Sequence, residues 1–133
     1  MSARAEAAVQ AALMAGLRAD TGVVTAFGDP ARVYETRAPA FPFARIERHE
    51  SVPTGTGDTE HKISIAVTSR EGGLMEAKDA LSAIRSAVEG LSWSVAGHHV
   101  VMAHVIYADT MRAADGEWYR GLIRIRIISE EVA

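Results

Sequence analysis

The chain contains no cysteine, which excludes a disulfide framework, thiolate metal binding and cysteine catalysis. It has no run approaching the roughly 18 apolar residues that a membrane-spanning helix requires. Its opening, Met1-Ser-Ala-Arg-Ala-Glu-Ala-Ala8, lacks the leucine-rich block of a secretory signal. The expectation is a soluble protein, made in the cytoplasm and independent of any membrane. Positive charge is not in excess either. The net charge of −3 lacks the basic footprint of a dedicated nucleic-acid binder. Also missing are a Gly-x-Ser-x-Gly elbow, a Ser or Thr beside a His, and paired carboxylates in an apolar setting. Thr54-Gly-Thr-Gly57 is rich in glycine, but it lacks the Lys-Ser/Thr ending of a phosphate loop and no helix follows it. No cofactor and no enzymatic activity are expected.

What is present reads as one domain over residues 1–133, long enough to bury a core without staples. The clearest stretch runs from Gly57 to Gly73 and into the residues beyond. Ile63, Ile65 and Val67 alternate with Lys62, Ser64, Ala66 and Thr68, the period of a strand with one apolar face. After Gly72-Gly73, Leu74, Ala77, Leu81, Ile84 and Val88 keep the three-and-four spacing of a helix stripe. Gly90 is suited to end that helix. An earlier alanine-rich helix is predicted over residues 3–19, with Val9, Leu13 and Leu17 one turn apart. Asp20-Thr-Gly22 is read as its stop and Gly28-Asp-Pro30 as a turn.

The remaining segments are read as β-structure and connections. Residues 32–35 form a short extended piece, and the prolines of residues 38–42 keep that stretch irregular. Residues 43–49 alternate with charge on both faces, Arg45 on one and Arg48 on the other, which fits an edge strand or one covered by another subunit. Residues 50–60 carry no core pattern and are predicted to form a long hairpin loop. Residues 92–95 and 99–107 read as two strands joined by a turn at residues 96–98. The second is apolar on both faces and is therefore placed at the sheet centre. Residues 108–117 form a polar connection containing the Asp115-Gly116 turn. The last strand, residues 118–129, turns Ile123, Ile125 and Ile127 inward and Leu122, Arg124 and Arg126 outward. The predicted fold class is α+β: a mainly antiparallel sheet with two helices packed on one face and a long β-hairpin loop.

Two groups of side chains invite chemistry. His98, His99 and His104 suggest a metal site, with His98 and His104 on one strand face, but no spaced third ligand or supporting carboxylate accompanies them. The alternative is a turn pair and one half-buried strand histidine, so no metal is expected. His49 and His61 flank the hairpin loop and would face each other across it. The second group is arginine. Arg124 and Arg126, with Arg120 nearby and Arg45 and Arg48 in the earlier strand, form either an ordinary solvent face or a surface between subunits. Nucleic-acid contact ranks third, because no aromatic stackers interleave with them.

Taken in order, these landmarks resemble the tail-completion family of long-tailed phages, the tail terminators, including those of phage-derived gene transfer agents. The resemblance is carried by the alanine-rich opening helix, Arg32-Val-Tyr34, and Phe41-Pro-Phe43 entering a strand. It continues through Gly57 to His61, Ile63-Ser-Ile-Ala-Val-Thr-Ser69 and Gly72-Gly73 before the long helix. Met111-Arg-Ala-Ala-Asp-Gly116 and Tyr119-Arg-Gly-Leu-Ile-Arg-Ile-Arg126 complete it. It spans nearly the whole chain, and its specificity lies in order and spacing.

The resemblance implies a structural virion protein, assembled in the host bacterial cytoplasm. Such a protein forms a ring, usually a hexamer, at the head-proximal end of the tail tube, stops polymerisation and joins tail to head. Its implied partners are copies of itself, the tail tube protein and a neck stopper or adaptor protein. Double-stranded DNA would pass through the lumen without specific binding. The expected contacts with tube or neighbour are Ser51, Val52, Pro53, Thr54, Asp58 and Glu60 in the hairpin, with Arg45, Arg48, Arg124 and Arg126 as further interface candidates. Two alternatives stand beside this reading: a neck stopper or adaptor, and a small metal-dependent cytosolic enzyme using His98, His99 or His104.

Overall fold

A computed structural model describes residues 2–34, 41–70, 73–113 and 117–132. In chain order the elements are α1 (Ser2–Ala19), α2 (Thr21–Phe27), β1 (Val33–Tyr34), β2 (Phe43–Pro53), β3 (Asp58–Ser69), α3 (Gly73–Glu89), β4 (His98–Arg112) and β5 (Tyr119–Glu131). The five strands form one sheet in the order β1-β2-β3-β5-β4. Only the short β1–β2 pair is parallel; the other neighbours are antiparallel. The expected α+β class is what the structure shows. The expected Gly72, Glu35, residues 38–40 and the Asp115-Gly116 turn lie outside the described residues.

The core forms between the helices and one face of the sheet. Ile63, Ile65 and Val67 of β3 and Ile123, Ile125 and Ile127 of β5 are fully buried there. Val9, Leu13 and Leu17 of α1, and Ala80, Leu81, Ile84 and Val88 of α3, meet them from the helix side. Each isoleucine withdrawn from water contributes about 1.5–3 kcal/mol before the entropy of ordering is counted. Gly121 sets how closely α3 approaches β5: a Cβ there would stand 2.9 Å from Leu81 Cγ.

There are three helices among the described residues, one more than expected. Asp20 does not simply end α1. Its Oδ2 accepts a hydrogen bond from the Val23 N–H at 3.0 Å, capping a second helix whose Val23 and Phe27 are buried. An Asp before a short apolar run serves either purpose, and here it starts a helix.

The hairpin also differs from expectation. Residues 50–53 continue β2 and residues 58–60 begin β3, paired from Glu50↔Lys62 to Pro53↔Thr59. The loop shrinks from eleven residues to the four of 54–57, closed by the Thr54 N–H donating to the Asp58 carbonyl at 3.0 Å. Backbone pairing needs no apolar alternation, so a polar sequence concealed a regular hairpin.

On the far side, β4 is the outermost strand and not the central one. Its two apolar faces reflect an edge that leaves hydrophobic side chains exposed. It also runs on to Arg112, through most of the stretch expected to be a connection. Residues 92–95 form no strand; Val95 makes a single bridge to His98.

Candidate interaction surface

All three helices lie on one side of the sheet, so the other face carries the polar halves of the strands. The register assembles that face row by row. Arg48, Ser64, Arg124 and Tyr107 share one row across β2, β3, β5 and β4. Glu50, Lys62, Arg126 and His104 share the next, and Val52, Glu60, Ile128 and Met102 the one after.

Four of the sequence-derived candidates meet here. Arg45 and Arg48 were expected on opposite faces of their strand. A bulge between Ile46 and Arg48 makes Glu47 the unpaired residue, so Arg45 (opposite Ala66) and Arg48 (opposite Ser64) both lie on the helix-free face. Arg124 and Arg126 lie there as the alternation required. Arg126 Nε donates to Glu60 Oε2, a bond that holds the Glu60 carboxyl below its ordinary value of 4.5. Arg124 Nε donates to Ser64 Oγ at 3.3 Å, and its guanidinium sits 5.6 Å from the centre of the Tyr107 ring. Arg120 forms an ion pair with the bulged Glu47. Beneath these long side chains Ser64, Ala66 and Ile128 are buried despite facing away from the core.

The hairpin candidates divide. Ser51 and Pro53 lie on the helix side of β2, and the Ser51 hydroxyl donates to Glu6 Oε2 of α1. Val52 and Glu60 lie on the helix-free side, Val52 half exposed. Thr54 forms the exposed turn, where its hydroxyl bonds the Thr56 hydroxyl at 2.9 Å, and Asp58 starts β3 opposite Glu130. The exposed tip therefore closes two ordered strands that pair into the sheet as far as Asp58 and Glu130, one of them fastened to α1.

The expectation that His49 and His61 face each other across the hairpin is met as a diagonal contact, since His49 pairs opposite Ile63 and His61 opposite Ser51. Sequence reasoning missed the chain of groups around them. Gln10 Oε1 lies 3.2 Å from His49 Nδ1, His49 Nε2 lies 2.8 Å from His61 Nδ1, and His61 Nε2 lies 2.8 Å from Ser129 Oγ. With the Gln10 oxygen accepting, one donor order serves the whole chain. Ser129 O–H donates to His61, His61 Nδ1–H to His49, and His49 Nδ1–H to Gln10. Both imidazoles are then neutral. Burial pushes His61 down to about 4, helped by His49 beside it, and lowers His49 as well. The signal was available in the alternation: His61 follows the parity of Ile63, and Ser129 that of Ile127. Although a Ser beside a His invites a nucleophile–base reading, Ser129 is 1 % exposed and its hydroxyl is engaged with His61 inside the core.

The histidines considered for metal are separated by the strand itself. A bulge at Val101 shifts the alternation, so His98 pairs opposite Glu131 on the helix side and His104 opposite Arg126 on the other. His99 Nδ1 lies 3.0 Å from Glu130 Oε1. The described residues hold no group of three or more His, Asp or Glu placed to bind a metal ion. No described helix is long and apolar enough to cross a membrane.

Three comparisons with known proteins bear on the chain as a whole. The family described as tail completion protein gp17 matches residues 11–130. A chain in a structure titled "Virion of native gene transfer agent (GTA) particle" shares the fold with a TM-score of 0.82 at 23% sequence identity, over 93% of this chain and 96% of that one. No curated protein matches.

Proposed function

Because this chain belongs to the tail completion protein gp17 family, we propose that it is a structural component of a phage or gene-transfer-agent virion that caps the tail. In this reading copies of the chain close into a ring, a hexamer, at the head-proximal end of the tail tube. The ring stops further addition of tube subunits and offers the neck stopper or adaptor a surface to join. The chain works as a single unit over its 133 residues and performs no bond-breaking of its own.

The observation that carries this reading is the family match over residues 11–130. The geometry supports it. An ordered hairpin with an exposed tip at 54–57, backed by α1 through Ser51 and Glu6, suits contact with the tube or a neighbouring subunit. Ser51, Val52, Pro53, Thr54, Asp58 and Glu60 supply that contact, and Arg45, Arg48, Arg124 and Arg126 belong to a second contact on the helix-free face. Arginine suits this role, since its fork holds carboxylates with geometric specificity. A mildly acidic chain of net charge −3 lets double-stranded DNA pass without condensing on the wall.

Localisation tests this directly. Particles carrying a tagged copy of the chain are imaged with a gold-labelled binder. The expected result is one label per tail, at the end next to the head; label along the tube, at the distal tip or absent from particles overturns the reading.

A further inference from the structure

Among the described residues, the sheet is open at both sides. Beyond the single Val95–His98 bridge β4 has no outer neighbour, and β1 covers β2 only at Ala44 and Arg45, leaving residues 47–53 without a strand outside them. Open edges of this length template further pairing, and folded proteins usually blunt them with lysine, proline or cover. β4 contains neither Lys nor Pro. Instead its two bulge residues, Val101 and Ile106, are 51% and 47% exposed, and Tyr107 and Met111 add to the strip. On the opposite edge Val52 is 50% exposed.

The two edges complement each other in direction and chemistry. Because β2 pairs antiparallel with β3, β3 with β5 and β5 with β4, the strands β2 and β4 run in opposite senses. A second copy set beside the first in the same orientation therefore brings its β4 antiparallel to the first copy's β2. Continuing the rows of the helix-free face across that junction places Val52 opposite Met102, Glu50 opposite His104, and Arg48 opposite Tyr107. These are an apolar pair, an acid with an imidazole, and a cation with an aromatic ring, each a favourable cross-strand combination. β4 carries no carboxylate before Asp109 that would repel Glu47 or Glu50.

We infer that copies of this chain join edge to edge, β4 of one pairing with residues 47–53 of β2 in the next, so that the sheets run on through the assembly. The contact uses a different patch on each partner and leaves one free edge at either end, the head-to-tail arrangement that closes into a ring when the rotation fits. This deepens the ring reading above and rests on it.

The absence of cysteine makes the test clean. In the full chain carrying Glu50→Cys and His104→Cys, the two thiols of one molecule stand three inter-strand spacings apart, about 14 Å, too far for a disulfide within it. Oxidation is expected to give a ladder of linked copies up to the ring, with each single variant stopping at a dimer or below. Val52→Cys with Met102→Cys should behave alike. Val101→Lys with Ile106→Lys changes only exposed side chains and should leave a folded monomer. If the unmodified chain forms rings but neither cysteine pair links them, or the lysine variant still assembles, edge pairing is wrong while the ring stands. An unmodified chain that stays monomeric at assembly concentration overturns the ring and the edge pairing together.

Discussion

His49 Nε2 and His61 Nδ1 lie 2.8 Å apart, and this contact joins the two strands of the hairpin from inside while tying them to Gln10 of α1 and Ser129 of β5. It also makes the fold sensitive to acid. His61 is fully shielded from solvent and held at about 4, against 6.5 for an ordinary imidazole. Between those values the unfolded chain binds the proton that the folded chain refuses, so stability rises with pH across the window. The contribution is complete above pH 6.5 and is lost as pH falls towards 4, amounting to about 3 kcal/mol over the whole window. Urea unfolding at pH 7 and pH 5 should show the midpoint falling in acid. His61→Gln should flatten that dependence while lowering stability at pH 7 by about 1–3 kcal/mol through unsatisfied partners.

Gly121 lies near the start of β5 beneath Leu81, where a Cβ would stand about 3 Å from three Leu81 carbons. Gly121→Val should force α3 away from the sheet and cost about 1–3 kcal/mol. A thermal melt several degrees below that of the unmodified chain checks this. Retention of the original Tm would mean that α3 is not packed as described.

The Glu60–Arg126 pair lies at the surface, so it should matter little to folding. Glu60→Gln is expected to lower Tm slightly at low ionic strength, and the difference should vanish in about 1 M salt, where screening acts over only a few ångströms. A salt-independent loss would show that the pair is shielded within the monomer.

The hairpin tip separates stability from assembly. Thr54 and Thr56 bond each other and stand exposed. Thr54→Ala with Thr56→Ala should change unfolding free energy by no more than about 0.5 kcal/mol. In particle-producing cells the same variant is expected to reduce the fraction of tails joined to heads, counted by electron microscopy. Normal joining would remove the tip from the contact surface.

The sequence made the core legible wherever burial on one face imposed a period. Ile63, Ile65 and Val67, Ile123, Ile125 and Ile127, and Ala77, Leu81, Ile84 and Val88 of α3 stand where alternation and helical spacing placed them, whereas Leu74, expected in the same stripe, lies in the first turn of α3 and is exposed. What escaped was whatever the chain settles through backbone pairing or a single extra residue. The upper hairpin is polar on both faces, so its pairing left no trace in the hydrophobic pattern. The bulges at Glu47, Val101 and Ile106 each reverse the side of every residue beyond them. They brought Arg48 onto the face of Arg45 and parted His98 from His104. β4 was misplaced because apolar residues on both faces mark a central strand only when both faces are covered by the same chain. Asp20 was ambiguous because one residue both ends α1 and caps α2.

The account stands on the claim that this chain halts tail growth by capping the tube. The direct measurement is the distribution of tail lengths in particle-producing cells from which the chain has been removed, imaged beside cells supplying it in trans. Overlong tails of variable length without heads, restored to uniform headed particles by the added copy, are predicted. Tails of normal length already joined to heads would contradict the claim outright.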